Sequence, residues 1–139
     1  MTINQKQDEI VEEFDLFDDL LDKTQYIIDL GKKLPPLPDS LHVPENLIPG
    51  CQSKVWLSSE LNGQTVHFEA DAEPTAQISR GLVSLLIRVL SGQTAAAVAT
   101  ANLYFIDKIG LSQLVTSRRA GGMASMIQKM KTFASAHTL

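Results

Sequence analysis

The sequence predicts an α+β domain: a small antiparallel sheet with helices packed on one face. Three observations carry that expectation. Helical periodicity occupies both ends of the chain, one hairpin signal lies near the middle, and a proline-dense segment separates the first helices from it. At 139 residues the chain fits a single domain over residues 1–139, long enough to bury a core. Hydrophobic content of 44% and charged content of 20% are those of an ordinary soluble globular protein, and no apolar run reaches the length of a membrane span. The formal net charge of -4 argues against a nucleic-acid partner, because such binders carry a basic surface that displaces counterions from phosphates. Met1 to Glu13 is polar and acidic, the opposite of a signal or transit peptide. A single cysteine rules out a disulfide framework and suits a reducing cytoplasm.

Residues Asp8 to Asp22 read as one helix. Ile10, Phe14, Phe17 and Leu21 form its apolar stripe, and most of the acids surround it as a solvated face. A second helix is expected from Thr24 to Lys33, with Tyr26, Ile27 and Leu30 inward and Gly31 near its end. Lys32 and Lys33 then suit the negative end of its dipole. Five of the six prolines fall between Pro35 and Pro49, a density that no regular helix or central strand survives. This is an ordered, extended loop, and loops of that length in compact domains usually serve function.

Asn62-Gly63 is the favoured central pair of a type I′ turn. Taken as a two-residue loop, it pairs Leu61 with Gln64, Leu57 with Phe68, Val55 with Ala70 and Lys54 with Asp71. One face then carries Val55, Leu57, Leu61, Val66, Phe68 and Ala70. The other carries Lys54, Trp56, Ser58, His67, Glu69 and Asp71. Past the hairpin, Pro74 is read as the first residue of a buried helix through Ile78, Leu82, Leu85, Leu86 and Val89 to Leu90, ended by Ser91-Gly92. Thr94 is placed as the cap of a short alanine-rich helix to Ala101, and Tyr104 to Ile109 as another short turn. A last helix runs from Gly122 to Ala136 over Met123, Met126, Ile127, Met130 and Phe133.

The residue with chemistry to offer is Cys51. A lone thiol closes no intramolecular disulfide and holds no metal by itself, so if it reacts it must take up a group and pass it on. Free cysteine is otherwise a small buried hydrophobe. Three features set this one apart: Gly50 before it lets the backbone bend, the proline-rich loop delivers it, and Gln52 and Ser53 after it are able to hydrogen-bond a thiolate. Counted at period two along the strand, Cys51 has the inward parity of Val55 and Leu57. A sheltered thiol needs a cation or N–H donors before it attacks. Arg118-Arg119, ahead of Ala120-Gly121-Gly122, is a candidate source of that charge; the alternative is a solvated pair at a helix start, where the dipole does not favour it. His42, His67 and His137 share no metal-ligand spacing, so no metal site is expected.

Several segments together resemble the SufE family of sulfur-acceptor proteins. Gly50-Cys51-Gln52-Ser53-Lys54-Val55-Trp56 is similar to that family's active-cysteine segment, and Tyr26 to Pro35 to its YI-x-x-LG-x-x-LP stretch. Arg80-Gly81-Leu82 resembles its KGL segment, and Leu111-Ser112 followed by Arg119, Gly122 and Met126 its C-terminal pattern. The resemblance implies the α+β fold shared with iron–sulfur scaffold proteins. It also implies a sulfur carrier in the cytoplasm, an accessory protein rather than a stand-alone enzyme. Cys51 would take persulfide sulfur from a cysteine desulfurase (SufS-like), stimulate that enzyme, and deliver the sulfur to an iron–sulfur scaffold (SufBCD-like). Pyridoxal phosphate belongs to the desulfurase and no cofactor to this chain; a homodimer is left open. Arg119, or Arg118 on a one-residue shift, would stabilise the sulfur anion or orient the partner, since Ser117-Arg118-Arg119 stands where the family commonly has Pro-Ser-Arg. The rival readings are a metal-binding cluster scaffold of the same fold and a non-catalytic binding module whose cysteine is core.

Overall fold

The computed structural model describes residues 1–51, 53–111 and 117–138. Helix α1 (Ile3–Phe14) opens on a reciprocal cap: the Gln5 N–H donates to Thr2 Oγ1 at 3.1 Å and the Thr2 N–H to Gln5 Oε1 at 2.8 Å. The expected single helix over Asp8 to Asp22 is two helices. The chain leaves α1 at Phe14, and Asp19 starts α2 (Leu20–Lys32) by accepting the Asp22 N–H at 2.8 Å. An aspartate that caps in this way offers the backbone an alternative to continuing the first helix. The apolar stripe divides accordingly: Ile10 and Phe14 are fully buried, Phe17 rests on the Tyr26 ring, and Leu21 is 81% exposed.

Helix α2 crosses α3 (Gln77–Leu90) at two glycines. A Cβ on Gly81 would stand 2.2 Å from the Ile27 carbonyl oxygen, and one on Gly31 would stand 2.7 Å from the Gly81 nitrogen. The start of α3 corrects the sequence reading. Pro74 lies in a turn that closes when the Ala76 N–H donates to the Glu73 carbonyl at 2.9 Å, and the helix begins after it. Leu82, Leu85, Leu86 and Val89 of α3 are buried in the core, and Arg88 leaves it to pair with Glu9 and Glu13 of α1.

Strands β1 (Val55–Asn62), β2 (Thr65–Ala72) and the short β3 (Gln93–Thr94) form one antiparallel sheet in the order β1-β2-β3. The faces are as expected but the register is not. Asn62 pairs with Thr65, Leu61 with Val66, Leu57 with Ala70 and Val55 with Ala72. The loop is therefore Gly63-Gln64, and only Gly63 has positive φ (+64°), as in a type II′ rather than a type I′ turn. Moving the turn by one residue shifts every partner by two, which keeps each side chain on its own face. Alternation therefore could not distinguish the two registers. The Thr65 hydroxyl, donating to the Asn62 carbonyl at 2.9 Å, closes the observed turn. The inward face of Val55, Leu57, Val66, Phe68, Ala70 and Ala72 is buried.

Thr94 caps α4 (Ala95–Thr100) through the Ala97 N–H at 3.2 Å, and α5 (Phe105–Lys108) follows. The last helix, α6 (Ser117–Ala136), starts five residues before its expected Gly122 and buries Met123, Met126 and Met130. Gln7 of α1 is fully buried and satisfied: its Nε2 donates to the Asn102 carbonyl at 3.0 Å and its Oε1 accepts the Phe105 N–H at 3.1 Å. Because the α2–α3 crossing has no room for a methyl group, Gly81→Ala is expected to lower stability by about 3 kcal/mol. The measurement is urea unfolding, read as a lower midpoint at an unchanged denaturant slope.

Candidate functional site

The segment from Pro35 to Ile48 makes no regular helix, only two single turns at Asp39–Leu41 and Pro44–Asn46, and is strapped down along its length. Arg80 of α3 holds its beginning. The guanidinium donates to the Gly31 carbonyl at 2.9 Å, the Leu34 carbonyl at 2.7 Å and Asp71 Oδ1 at 2.5 Å. Asp71 is 9% exposed and also accepts the Leu37 N–H at 3.2 Å, while His42 Nε2 lies 2.8 Å from the same Oδ2. Burial opposes the Asp71 carboxylate, but hydrogen bonds from Arg80, His42 and the Ala72 and Leu37 N–H groups outweigh it and hold its pKa below the usual range. The His42 ring meets the Trp56 ring edge-on at 4.7 Å. Farther along, Lys129 of α6 reaches back to donate to the Glu45 carbonyl at 2.6 Å and the Leu47 carbonyl at 3.4 Å.

The next described residues, Pro49 to Cys51 with Ser53 and Lys54, form a separate loop. The Ile48 N–H donates to the Val55 carbonyl at 2.9 Å and the Glu73 N–H to the Lys54 carbonyl at 3.0 Å, closing residues 49–54 at their base. Within it, Gly50 takes φ +82°, a conformation that costs glycine nothing and a side-chain-bearing residue a good deal. That turn, rather than strand parity, aims Cys51, since β1 begins only at Val55. The thiol is half-buried and rests on α6: a Cβ on Gly122 would stand 2.7 Å from Cys51 Sγ. Burial pushes the Cys51 pKa above the ordinary thiol value, so the resting group is held as S–H.

Of the other expected site residues, Gly50 is exposed and Ser53 half-buried, and both lie in the same loop. Gln52 lies outside the described residues. Arg118 and Arg119 occupy backbone positions one turn ahead of Gly122 on α6, and their side chains lie outside the described residues. The three histidines stand apart: His42 on Asp71, His67 against Thr65 at 3.0 Å, and His137 against the Phe133 ring at 4.6 Å. Among the described residues no three His, Cys, Asp or Glu side chains converge to hold a metal ion. Sequence reasoning placed Gly122 in the C-terminal pattern and at the start of the last helix, but assigned no site role to it, to Lys129 or to Asp71. Gly122 instead lies within α6, and a glycine inside a helix usually has a packing reason.

Fold and site together define an α+β domain that carries one sheltered thiol at the tip of a fastened loop. The chain belongs to the SufE family: residues 8–134 match the domain described as "SufE: Fe-S metabolism associated domain". A SufE-like protein of Rhizobium etli is 36% identical over 129 residues, covering 89% of this chain and 86% of that one. The sulfur acceptor protein CsdE of Escherichia coli is 37% identical over 108 residues, covering 76% of this chain and 71% of its own. The solution structure of a hypothetical protein from Thermus thermophilus shares the fold, with a TM-score of 0.77 over 95% of each chain at 20% identity.

Two outcomes follow from the charges. Asp71 has a lowered pKa when folded, so its contribution is complete above the ordinary aspartate range and is lost as pH falls through the folded value. Asp71→Asn, which leaves Arg80 unpaired, should cost about 3 kcal/mol at neutral pH and flatten the acid limb of a stability–pH curve from urea unfolding. The Cys51 thiol should alkylate with iodoacetamide along a pH profile whose midpoint lies above that of the urea-unfolded chain.

Proposed function

We propose that this chain is a sulfur acceptor and carrier in iron–sulfur metabolism, with Cys51 as the group that carries the sulfur. The observation that carries the reading is the loop of residues 49–54. It is closed at its base by the Ile48–Val55 and Lys54–Glu73 hydrogen bonds, and it holds its one thiol half-buried on α6. A segment fastened in this way can swing outward without disturbing the sheet or the strapped segment behind it. The family's iron–sulfur association and the likeness to a sulfur acceptor protein support the same reading.

The chemistry is thiol exchange at a persulfide. The Cys51 thiolate attacks the outer sulfur of a persulfide on a pyridoxal-phosphate cysteine desulfurase. The new S–S bond forms on Cys51 as the old one breaks, and the desulfurase cysteine leaves as a thiolate. No electrons are gained or lost overall, and no oxidant is required. Clearing the desulfurase cysteine frees it for another turnover, which is how an acceptor stimulates the enzyme. An iron–sulfur scaffold then receives the sulfur, in a cytoplasmic setting.

Loss of the proton is the step the protein must control. Withdrawn, the thiol is burdened by burial; extended beside a cation, it ionises more readily. Arg119 or Arg118, one turn ahead of the seat on α6, is proposed to supply that cation or to orient the partner, with Gln52 and Ser53 as neighbouring donors. A single thiol favours a carrier over a cluster scaffold, which needs several ligands at once. Incubated with a cysteine desulfurase and cysteine, the protein should gain the mass of one or more sulfur atoms, which a reductant removes. Cys51→Ser should gain none while keeping its circular dichroism; labelled sulfur retained by the serine variant would end the proposal.

A further inference from the structure

We infer that Gly122 is a positioning residue: its missing side chain is the seat on which the Cys51 sulfur withdraws, and the size of residue 122 sets how much of the protein holds that sulfur inward. Gly122 lies inside α6 and is buried, although glycine is among the poorest residues for a helix interior. Its backbone does not explain it. The glycines of positive φ are Gly50, Gly63, Gly92 and Gly110, so residue 122 holds a conformation open to any residue. What requires glycine there is the space beside it.

That space is specific to the sulfur. A Cβ at 122 would stand 2.7 Å from Cys51 Sγ, well inside contact distance, but 3.6 Å from Cys51 Cα and 3.7 Å from Cys51 Cβ, which are ordinary contacts. Among the described residues, an alanine would therefore fit against the loop's backbone and collide only with the thiol. The collision has an outlet. Residues 49–54 are closed at their base, and an open groove of about 540 Å³ runs beside Pro49 along Ser125, Gln128 and Phe133, so the loop can shift without unfolding the domain. A methyl group at 122 thus changes the balance between withdrawn and extended thiol and leaves the fold in place. The consequence for sulfur handling rests on the carrier reading: a larger residue at 122 would favour transfer over shelter.

The test uses purified protein with no desulfurase, so its result stands whether or not sulfur acceptance is upheld. Native Gly122→Ala should react with an aromatic disulfide reagent roughly tenfold faster than its parent, with unchanged circular dichroism. Thermal midpoints supply a readout that a merely structural glycine would not move. In a Cys51→Ala background, Gly122→Ala should raise the midpoint, because the better helix former meets no sulfur there. In the Cys51 background that gain should be absent. If Gly122→Ala alone fails to fold, a folded Cys51→Ala/Gly122→Ala double variant upholds the proposal and an unfolded one overturns it. A thiol rate that is unchanged or slower, or an equal midpoint shift in both backgrounds, also overturns it.

Discussion

The guanidinium of Arg80 is the interaction on which the placement of the Cys51 loop depends. It is largely withdrawn from water, so its donors need acceptors, and it finds them on three separate segments. Two are carbonyls at and just beyond the end of α2, where a helix leaves acceptors without intrahelical partners. The third is the buried Asp71 of β2. A planar, forked cation suits this role in a way that an ammonium would not. The next residue is Gly81, whose lack of a side chain lets α2 come close enough for the reach. Helix, loop and sheet are thereby fixed relative to one another before the chain turns toward its thiol.

Asp71 extends that constraint along the proline-rich segment. It gathers Arg80, His42 and the Leu37 N–H, and His42 in turn meets Trp56 on β1. Lys129 takes hold where Asp71 leaves off, at Glu45 and Leu47. Burial lowers the Lys129 pKa, yet backbone carbonyls rather than a carboxylate receive its protons. The outcome is a sharp division between a strapped stretch that ends at Ile48 and a small loop that carries Cys51. Proline supplies stiffness to the first; Gly50 supplies the bend in the second.

How much of this was legible varied with the range of the interaction. The alternation of β1 and β2 revealed both faces of the sheet, because period two is local. The register escaped, because neighbouring turn placements preserve that alternation. Thr2 and Gln5 carry a capping-box spacing that marks a helix start, a local signal legible without any tertiary contact. That charge itself is partly structural: Glu9 and Glu13 hold Arg88, Asp8 accepts the Tyr104 hydroxyl at 2.6 Å, and Asp19 caps α2. Cys51 stood out by its neighbours in sequence. Its contact with Gly122 did not, since nothing in a linear pattern shows which distant segments touch, and the same holds for Lys129 and Glu45.

The raised pKa of the resting Cys51 thiol has a bearing on oxidative stress. Peroxides act on the ionised form of a thiol, and the cysteine oxidation ladder from sulfenic to sulfonic acid begins with it. By keeping its one thiol protonated while idle, the fold makes Cys51 a poorer target for hydrogen peroxide than an exposed thiol. Under the proposed carrier role, vulnerability opens chiefly in the interval when the loop is extended.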